Sequence, residues 1–125
     1  MIRLLRRAAP YIWMGVIFCV SHSPSDGLPN VNLVPHFDKV IHAGVYAFLV
    51  CCFAVSQMPY RDARVWLRWA APVAVAYAIS DEVHQSFVPG RNADVADVIA
   101  DVAGVALASV FFLLRSRGSA SEPSQ

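Results

Sequence analysis

Three long segments of this chain carry no charged side chain on any face: Val45–Val55, Ala70–Ile79 and Val102–Leu114. A helix on the surface of a soluble protein keeps a polar face, whereas a helix that is apolar all round is buried or faces lipid. A chain of 125 residues is too small to bury several such helices completely. The segments therefore predict an all-α integral membrane protein, a bundle of about four transmembrane helices.

The composition agrees with this fold class. Hydrophobic residues make up 57% of the chain and charged residues 15%, whereas soluble domains average roughly 45–50% and about 25%. The net charge of +1 predicts no nucleic-acid partner. The expected partner is the lipid bilayer, and the sequence leaves the oligomeric state open.

Turn and cap signals divide the chain into four helices. The predicted helices are, in order, Ala8–Ser21, Asp38–Met58, Val65–Phe87 and Val95–Leu114. Asp38 and Asp94 are the predicted N-caps of the second and fourth helices. Residues 22–37 are rich in proline and glycine and are predicted to form a loop. The expected organisation is a four-helix transmembrane domain over residues 1–114, followed by a polar, disordered cytoplasmic tail over residues 115–125.

The first apolar run is shorter than the roughly 20 residues that usually cross a bilayer. It has two interpretations, an uncleaved helix and a cleaved signal peptide. Arg6 and Arg7 can extend their stems to the interface. No convincing small-x-small cleavage site surrounds Cys19, Val20 and Ser21, so the uncleaved helix is the favoured interpretation.

Basic residues alternate between the segments that flank the apolar runs. Eight arginines lie before the first run, between the second and third, and after the fourth: Arg3, Arg6, Arg7, Arg61, Arg64, Arg68, Arg115 and Arg117. The other two connections contain only Lys39 and Arg91 as basic residues. By the positive-inside rule this pattern predicts that both termini are cytoplasmic.

With that topology, the polar residues of three helices collect at the outer side of the membrane. On the second helix Asp38, His42 and Tyr46 are spaced i, i+4, i+8 and share a face, with Lys39 beside them. On the third helix four residues are predicted to share a face, with Glu82 at its border: Tyr77, Asp81, His84 and Gln85.

The fourth helix adds an acidic stripe, in which Asp94, Asp97 and Asp101 are spaced i, i+3, i+7. The stripe continues through Gly104 and Ala108, small residues that allow helices to approach closely. The stripe is therefore predicted to face the bundle interior, and the three helices together predict a polar pocket open to the extracytoplasmic side.

Several of these residues also have structural interpretations. N-capping alone would explain the presence of Asp38 and Asp94. Asp97 lies in a first turn, where the helix dipole favours a carboxylate. Asp101 lies about 9 Å along the axis from Val95 at 1.5 Å per residue, so it needs a functional role or a tight pairing.

Asp81 and Glu82 need a compensating partner, because they repel each other and oppose the dipole at the end of a helix. Lys39 or Arg91, a metal ion or a proton would each compensate. An Asp81–Arg91 ion pair is the structural interpretation, and His42 could equally be a satisfied interhelical hydrogen-bonder.

At these residues the chain resembles the VanZ-like membrane protein family. The similarity lies in Ser21-His22-Ser23, in Asp38-Lys39-Val40-Ile41-His42 with Tyr46, and in a long third stretch. That stretch is the most specific and runs Asp81-Glu82-Val83-His84-Gln85, Phe87-Val88-Pro89-Gly90-Arg91, Asp94, Asp97 and Gly104. The family often has Asn where this chain has Asp101.

The resemblance implies a small multi-pass protein of the bacterial cytoplasmic membrane, acting in the cell envelope. The family takes its name from a protein linked to glycopeptide resistance, so the antibiotic-resistance association is one of the family and is not implied for this chain. The resemblance implies no particular reaction.

Two function classes remain open from the sequence. In the first, the pocket acts on or recognises envelope lipids or lipid-linked glycans. The candidate acid–base residues are His42, Asp81, Glu82 and His84. The candidate binding residues are Asp38, Lys39, Tyr46, Gln85, Arg91, Asp94, Asp97 and Asp101. No nucleophile motif is present, so the sequence does not decide whether the chain is an enzyme.

The second class is a non-catalytic accessory or lipid-binding protein whose motif is a structural ion-pair network. The cofactor is undetermined. A divalent metal held by His42, Glu82, His84 and either Asp97 or Asp101 is chemically allowed, although no single helix has the usual ligand spacing. An ion-coupled transporter ranks last, because the inner half of the fourth helix holds no second deep polar group.

Overall fold

Four helices make up the part of the chain that the computed structural model describes, which is residues 1–23, 36–58 and 61–119. They are α1 (Ile2–Ser21), α2 (Phe37–Gln57), α3 (Ala63–Gln85) and α4 (Val95–Ser119). No strand occurs within these three ranges. The predicted all-α class is confirmed.

Three of the four helices are long and apolar enough to cross a membrane: α1, α2 and residues Val95–Arg117 of α4. Helix α3 has 23 residues but is not among them. It carries Arg64 and Arg68 near its start and Asp81 and Glu82 near its end, and these charges lower its hydropathy. The chain is a multi-pass membrane protein, in which length and composition support three of the four expected spans. The side of the membrane on which the termini lie stays a prediction.

The helix boundaries differ from the predicted ones at several ends. Helix α1 begins at Ile2 and not at Ala8. The N-cap of α2 is His36, with a left-handed φ of 63°, so the prediction that Asp38 caps this helix was wrong. Asp38 lies instead in the first turn, where the helix dipole favours a carboxylate.

The predicted cap of α4 was right, since Asp94 Oδ1 accepts a hydrogen bond of 2.9 Å from the Ala96 amide. Helix α4 ends at Ser119, five residues beyond the predicted end at Leu114. The rest of the predicted tail, residues 120–125, and most of the predicted loop, residues 24–35, lie outside the described residues.

Helix α2 packs against each of the other three helices, most extensively against α4. Its Tyr46, Leu49, Val50 and Phe53 are almost fully buried in the core. The close approach of α2 and α4 depends on Gly104, as predicted. A Cβ atom there would overlap the Ala43 carbonyl oxygen and lie 2.8 Å from its carbonyl carbon.

Large apolar side chains cover the outer faces of the bundle. Ile12, Ile99 and Leu107 are all more than half exposed, and so are many others on the four helices. Apolar exposure on this scale is unusual for a soluble monomer. A lipid environment accounts for it, because lipid tails solvate such faces without a hydrophobic penalty.

Candidate functional site

The predicted site residues lie at one end of the bundle, where α1 and α3 end and α2 and α4 begin. We call this the motif end. The side chains there form two groups, which share Asp38 and His42. One group joins α2 to α4, and the other lines a cleft between α1, α2 and α3.

Lys39 is the centre of the first group. Its Nζ lies 2.6 Å from Asp97 Oδ1, 2.7 Å from Asp94 Oδ2 and 3.2 Å from Asp38 Oδ2. The hydrogen bond from Lys39, assisted by the one from the Ala96 amide, holds the pKa of the Asp94 carboxyl below its usual range. Lys39 thus ties the first turn of α2 to the first turn of α4. We call Lys39 with these three carboxylates the lysine cluster.

His42 extends the same contact one turn deeper. Its Nδ1 lies 3.1 Å from Asp101 Oδ1, and its Nε2 lies 3.9 Å from Asp97 Oδ1. Asp101 is 1% exposed, which agrees with the expectation that it needs a close partner. The structure pairs it with the imidazole of His42.

Glu82 reaches the start of α4 from α3. Its Oε1 accepts a hydrogen bond of 2.6 Å from the Asp94 backbone amide. That amide lies just before the first turn of α4, where backbone amides have no partner within the helix. The second oxygen, Oε2, is buried and has no hydrogen-bond partner among the described residues.

Asp81 faces the other side of α3, toward α1. Its Oδ2 accepts a hydrogen bond of 2.8 Å from Ser21 Oγ and one of 3.4 Å from Gln85 Nε2. Gln85 Nε2 also lies 3.3 Å from Ser21 Oγ. The adjacent carboxylates of Asp81 and Glu82 are therefore stabilised separately, by hydrogen bonds to different neighbouring helices.

Arg91 does not form the ion pair with Asp81 that the structural interpretation of these residues required. Its Nη2 donates a hydrogen bond of 3.0 Å to the Val20 carbonyl, and its Nε donates one of 3.4 Å to the Ser23 carbonyl. Carbonyls at the end of a helix lack helical partners and attract cations. Arg91 therefore stabilises the C-terminal end of α1.

His84 lies apart from His42. Its Nε2 is 3.2 Å from His22 Nδ1, and its ring centroid is 4.8 Å from that of Phe18 on α1. The hypothetical metal site needed His42, Glu82 and His84 together. Within residues 1–23, 36–58 and 61–119 no group of three or more His, Cys, Asp or Glu side chains could hold a metal ion.

The second group lines a cleft of about 300 Å³ between α1, α2 and α3. Its apolar wall consists of Trp13, Val16, Ile17, Val20, Ile41 and Val45. Its polar lining consists of Ser21, Asp38, His42, Tyr46, Asp81, Gln85 and Arg91. The cleft thus has an apolar part and a hydrogen-bonding part, as an amphiphilic ligand requires.

Tyr46 is the unusual residue of this cleft. It is 1% exposed, and its hydroxyl forms no well-aligned hydrogen bond among the described residues, although the Asp81 carboxylate of the same cleft lies near it. A buried tyrosine hydroxyl normally has a partner, and leaving a buried polar group unsatisfied costs about 1–3 kcal/mol. A small shift toward Asp81, a water molecule or a polar group of a ligand in the cleft would each supply the missing partner.

The sequence reasoning missed the contribution of α1 to the site. Trp13, Ile17 and Ser21 line the cleft and lie one turn apart on the same helix. Their i, i+4, i+8 spacing was the available signal. The apolar character of the whole first run concealed it, because the pattern alone does not show which face of α1 packs against α2.

Comparison with protein-family models matches residues 9–116 of the chain to the family described as VanZ/LLP1. The match includes every residue of both groups at the motif end. No curated protein and no solved structure matches the chain.

Proposed function

The chain belongs to the VanZ/LLP1 family, and from this premise we propose that it recognises an envelope lipid or lipid-linked glycan in the cleft between α1, α2 and α3. The observation that carries the proposal is the hydroxyl of Tyr46, which is buried beside this cleft without a well-aligned hydrogen bond. The membrane is taken to be the bacterial cytoplasmic membrane, with the motif end outside.

The walls of the cleft favour a single hydrocarbon chain. A volume of about 300 Å³ is at the lower end of the range for ligand sites, roughly 300–1,000 Å³. The apolar side chains of α1 and α2 would contact the chain, and the headgroup would lie at the motif end. Tyr46 would donate its hydrogen bond to an oxygen of that headgroup.

Recognition is better supported than catalysis. Asp81 already accepts hydrogen bonds from Ser21 and Gln85, and His42 is engaged by Asp101. His84 lies against His22 and Phe18, away from His42. The candidate acid–base residues are therefore distributed over separate contacts, whereas general acid–base catalysis needs them within reach of one reacting group.

The test compares two variants, each of which lacks the hydroxyl group of one tyrosine. The affinity of the purified full chain for phosphatidylglycerol, phosphatidylethanolamine and a polyprenyl phosphate would be measured by native mass spectrometry. Tyr46→Phe is expected to weaken binding of the recognised lipid roughly three- to tenfold, the value of one hydrogen bond. The control is Tyr77→Phe, because the Tyr77 hydroxyl donates to the Met14 carbonyl at 2.7 Å.

A third variant, Ile17→Trp, fills the cleft and is expected to abolish binding of the chain. Equal affinity of Tyr46→Phe, Tyr77→Phe and the unmodified protein for every lipid of the panel would show that the cleft is not the site.

The lysine cluster favours a second candidate, an accessory protein whose motif is structural. Lys39 contacts three carboxylates at 3.2 Å or less, and such a network needs no ligand. Under this proposal the motif stabilises the α2–α4 contact, and none of the lipids binds selectively.

A further inference from the structure

A second cavity lies at the opposite end of the bundle, where α1 begins and α2 ends. It has a volume of about 490 Å³ and is lined by Arg7, Tyr11, Ser56, Gln57 and Arg61. None of these residues belongs to the motif end or to the proposed lipid site. The cavity therefore has to be explained separately.

The lining residues are rich in hydrogen-bond donors. Two are guanidinium groups from different parts of the chain, Arg7 on α1 and Arg61 between α2 and α3. Tyr11 and Gln57 add a phenol and an amide, and no lining residue is acidic. The carboxylate that follows Arg61 in sequence, Asp62, is used elsewhere, since it accepts a hydrogen bond of 2.8 Å from the Arg64 amide.

Ser56 gives the cavity a buried polar floor. It is 3% exposed, and its Oγ accepts a hydrogen bond of 3.0 Å from Gln57 Nε2. Its own hydroxyl proton has no acceptor within the described ranges. A buried hydroxyl with a proton to donate, in the same cavity as the Arg61 guanidinium, matches an anion with several acceptor oxygens.

We infer that this cavity is a binding site for a phosphate group. The guanidinium group matches the oxygens of a phosphate with paired hydrogen bonds, and Arg is weakly hydrated compared with Lys. The cavity lies between the first half of the α1 span and the end of the α2 span. An anionic phospholipid headgroup and free phosphate share the required chemistry.

The experiment measures the affinity of the purified full chain, in uncharged detergent, for phosphatidylglycerol, phosphatidylcholine and inorganic phosphate. Arg61→Gln is expected to weaken binding about tenfold, the value of one charge-assisted hydrogen bond. The matched control is Arg3→Gln, which removes the same charge from a residue that is exposed, as Arg61 is, but does not line the cavity. It should change the affinity by less than about twofold, because only a charge that lines the cavity can donate hydrogen bonds to the bound phosphate.

Tyr11→Phe is a second variant that leaves the charge unchanged, and it should weaken binding roughly threefold through the loss of one neutral hydrogen bond.

The outcomes distinguish the two sources of phosphate. A lipid headgroup is identified if phosphatidylglycerol binds more tightly than phosphatidylcholine and Arg61→Gln weakens that binding. Binding of inorganic phosphate with the same sensitivity identifies the free anion. Equal losses in Arg61→Gln and Arg3→Gln, equal binding of the two lipids without phosphate binding, or no binding at all would each overturn the inference.

Discussion

The two sides of α2 at the motif end contain similar residue types but differ in how those residues are satisfied. Toward α4, Lys39 and His42 are paired with three aspartates at 2.6–3.1 Å, and Lys39 also contacts Asp38 of α2 at 3.2 Å. Toward α1, the buried Tyr46 hydroxyl has no partner among the described residues, and a cleft lies beside it. A satisfied polar network stabilises a fold without further help, whereas a buried group without a well-aligned hydrogen bond beside a cavity leaves room for a water molecule or a ligand.

The difference also separates the two proposals for the motif. Substitutions on the α4 side should reduce the stability of the protein, while substitutions on the α1 side should reduce ligand binding and leave stability nearly unchanged. Glu82 is the exception on the α4 side, because its Oε2 is buried without a partner in the described part of the chain.

The largest loss of stability is expected for Gly104→Ala. Its new methyl group would overlap the Ala43 carbonyl oxygen, and a backbone atom cannot move aside as a side chain can. The free energy of unfolding should fall by about 3 kcal/mol, near the upper end for overpacking. Thermal unfolding in detergent, followed by circular dichroism, measures the change.

The control is Gly44→Ala on α2, where a Cβ would meet nothing within 4 Å. That variant should be neutral or more stable by up to about 1 kcal/mol, because alanine favours the helix. If the two variants were equally stable, the α2–α4 contact would be looser than described here.

Lys39→Met is expected to cause the next largest loss in the free energy of unfolding. It leaves Asp97 and Asp94 facing each other without a cation, and should lower the free energy of unfolding by about 2 kcal/mol. The double variant Lys39→Met/Asp97→Asn should recover part of that loss, because one of the uncompensated charges is removed. A double-mutant cycle on the same unfolding assay gives the coupling energy. Additive single effects would contradict a lysine cluster that acts as a unit.

A smaller difference in stability is expected between the phenylalanine variants of Tyr77 and Tyr46. Tyr77→Phe removes a hydrogen bond of 2.7 Å to the Met14 carbonyl and should cost about 1 kcal/mol. Tyr46→Phe removes a hydroxyl without a partner, so the unliganded protein should be unchanged or up to about 1 kcal/mol more stable. Unfolding of both variants in the absence of added lipid tests the contrast, and a clear destabilisation by Tyr46→Phe would reveal a hydrogen bond within the protein.

The smallest expected effect is the pH dependence of the Lys39–Asp94 contact. The pKa of Asp94 is lower in the folded protein than its ordinary value, so this contact contributes its full stabilisation above that ordinary value. The contribution is lost as the pH falls through the lowered pKa. Unfolding temperatures measured from pH 7 to pH 3 should therefore fall less steeply for Asp94→Asn than for the unmodified chain. Parallel curves would mean that the pKa of Asp94 is the same in the folded and the unfolded protein.

Much of the site could be predicted from sequence because helical periodicity places residues on a common face. Asp38, His42 and Tyr46 were correctly grouped at the motif end of α2, and Asp101 was correctly expected to need a close partner. The prediction failed where it required a choice between partners. Lys39 and Arg91 were equal candidates for Asp81 and Glu82, yet Lys39 binds the aspartates of α4, and Arg91 binds carbonyls at the end of α1.

The predicted common face of α3 agrees with the contacts. Tyr77, Asp81, His84 and Gln85 all meet α1 or the residue that caps it, through Met14, Ser21 and His22. The shared face did not fix the partners, because each side chain meets a different position along α1.

The amino-acid sequence by itself determined that this chain is helical and belongs in a membrane, because charge-free segments in lipid must satisfy their backbone hydrogen bonds internally. It also determined which residues share a face of each helix, since 3.6 residues per turn fixes that geometry locally. The tertiary structure alone decided the rotation of each helix against its neighbours. That rotation follows from side-chain packing between distant segments, and it left Tyr46 beside a cleft while surrounding Lys39 with carboxylates.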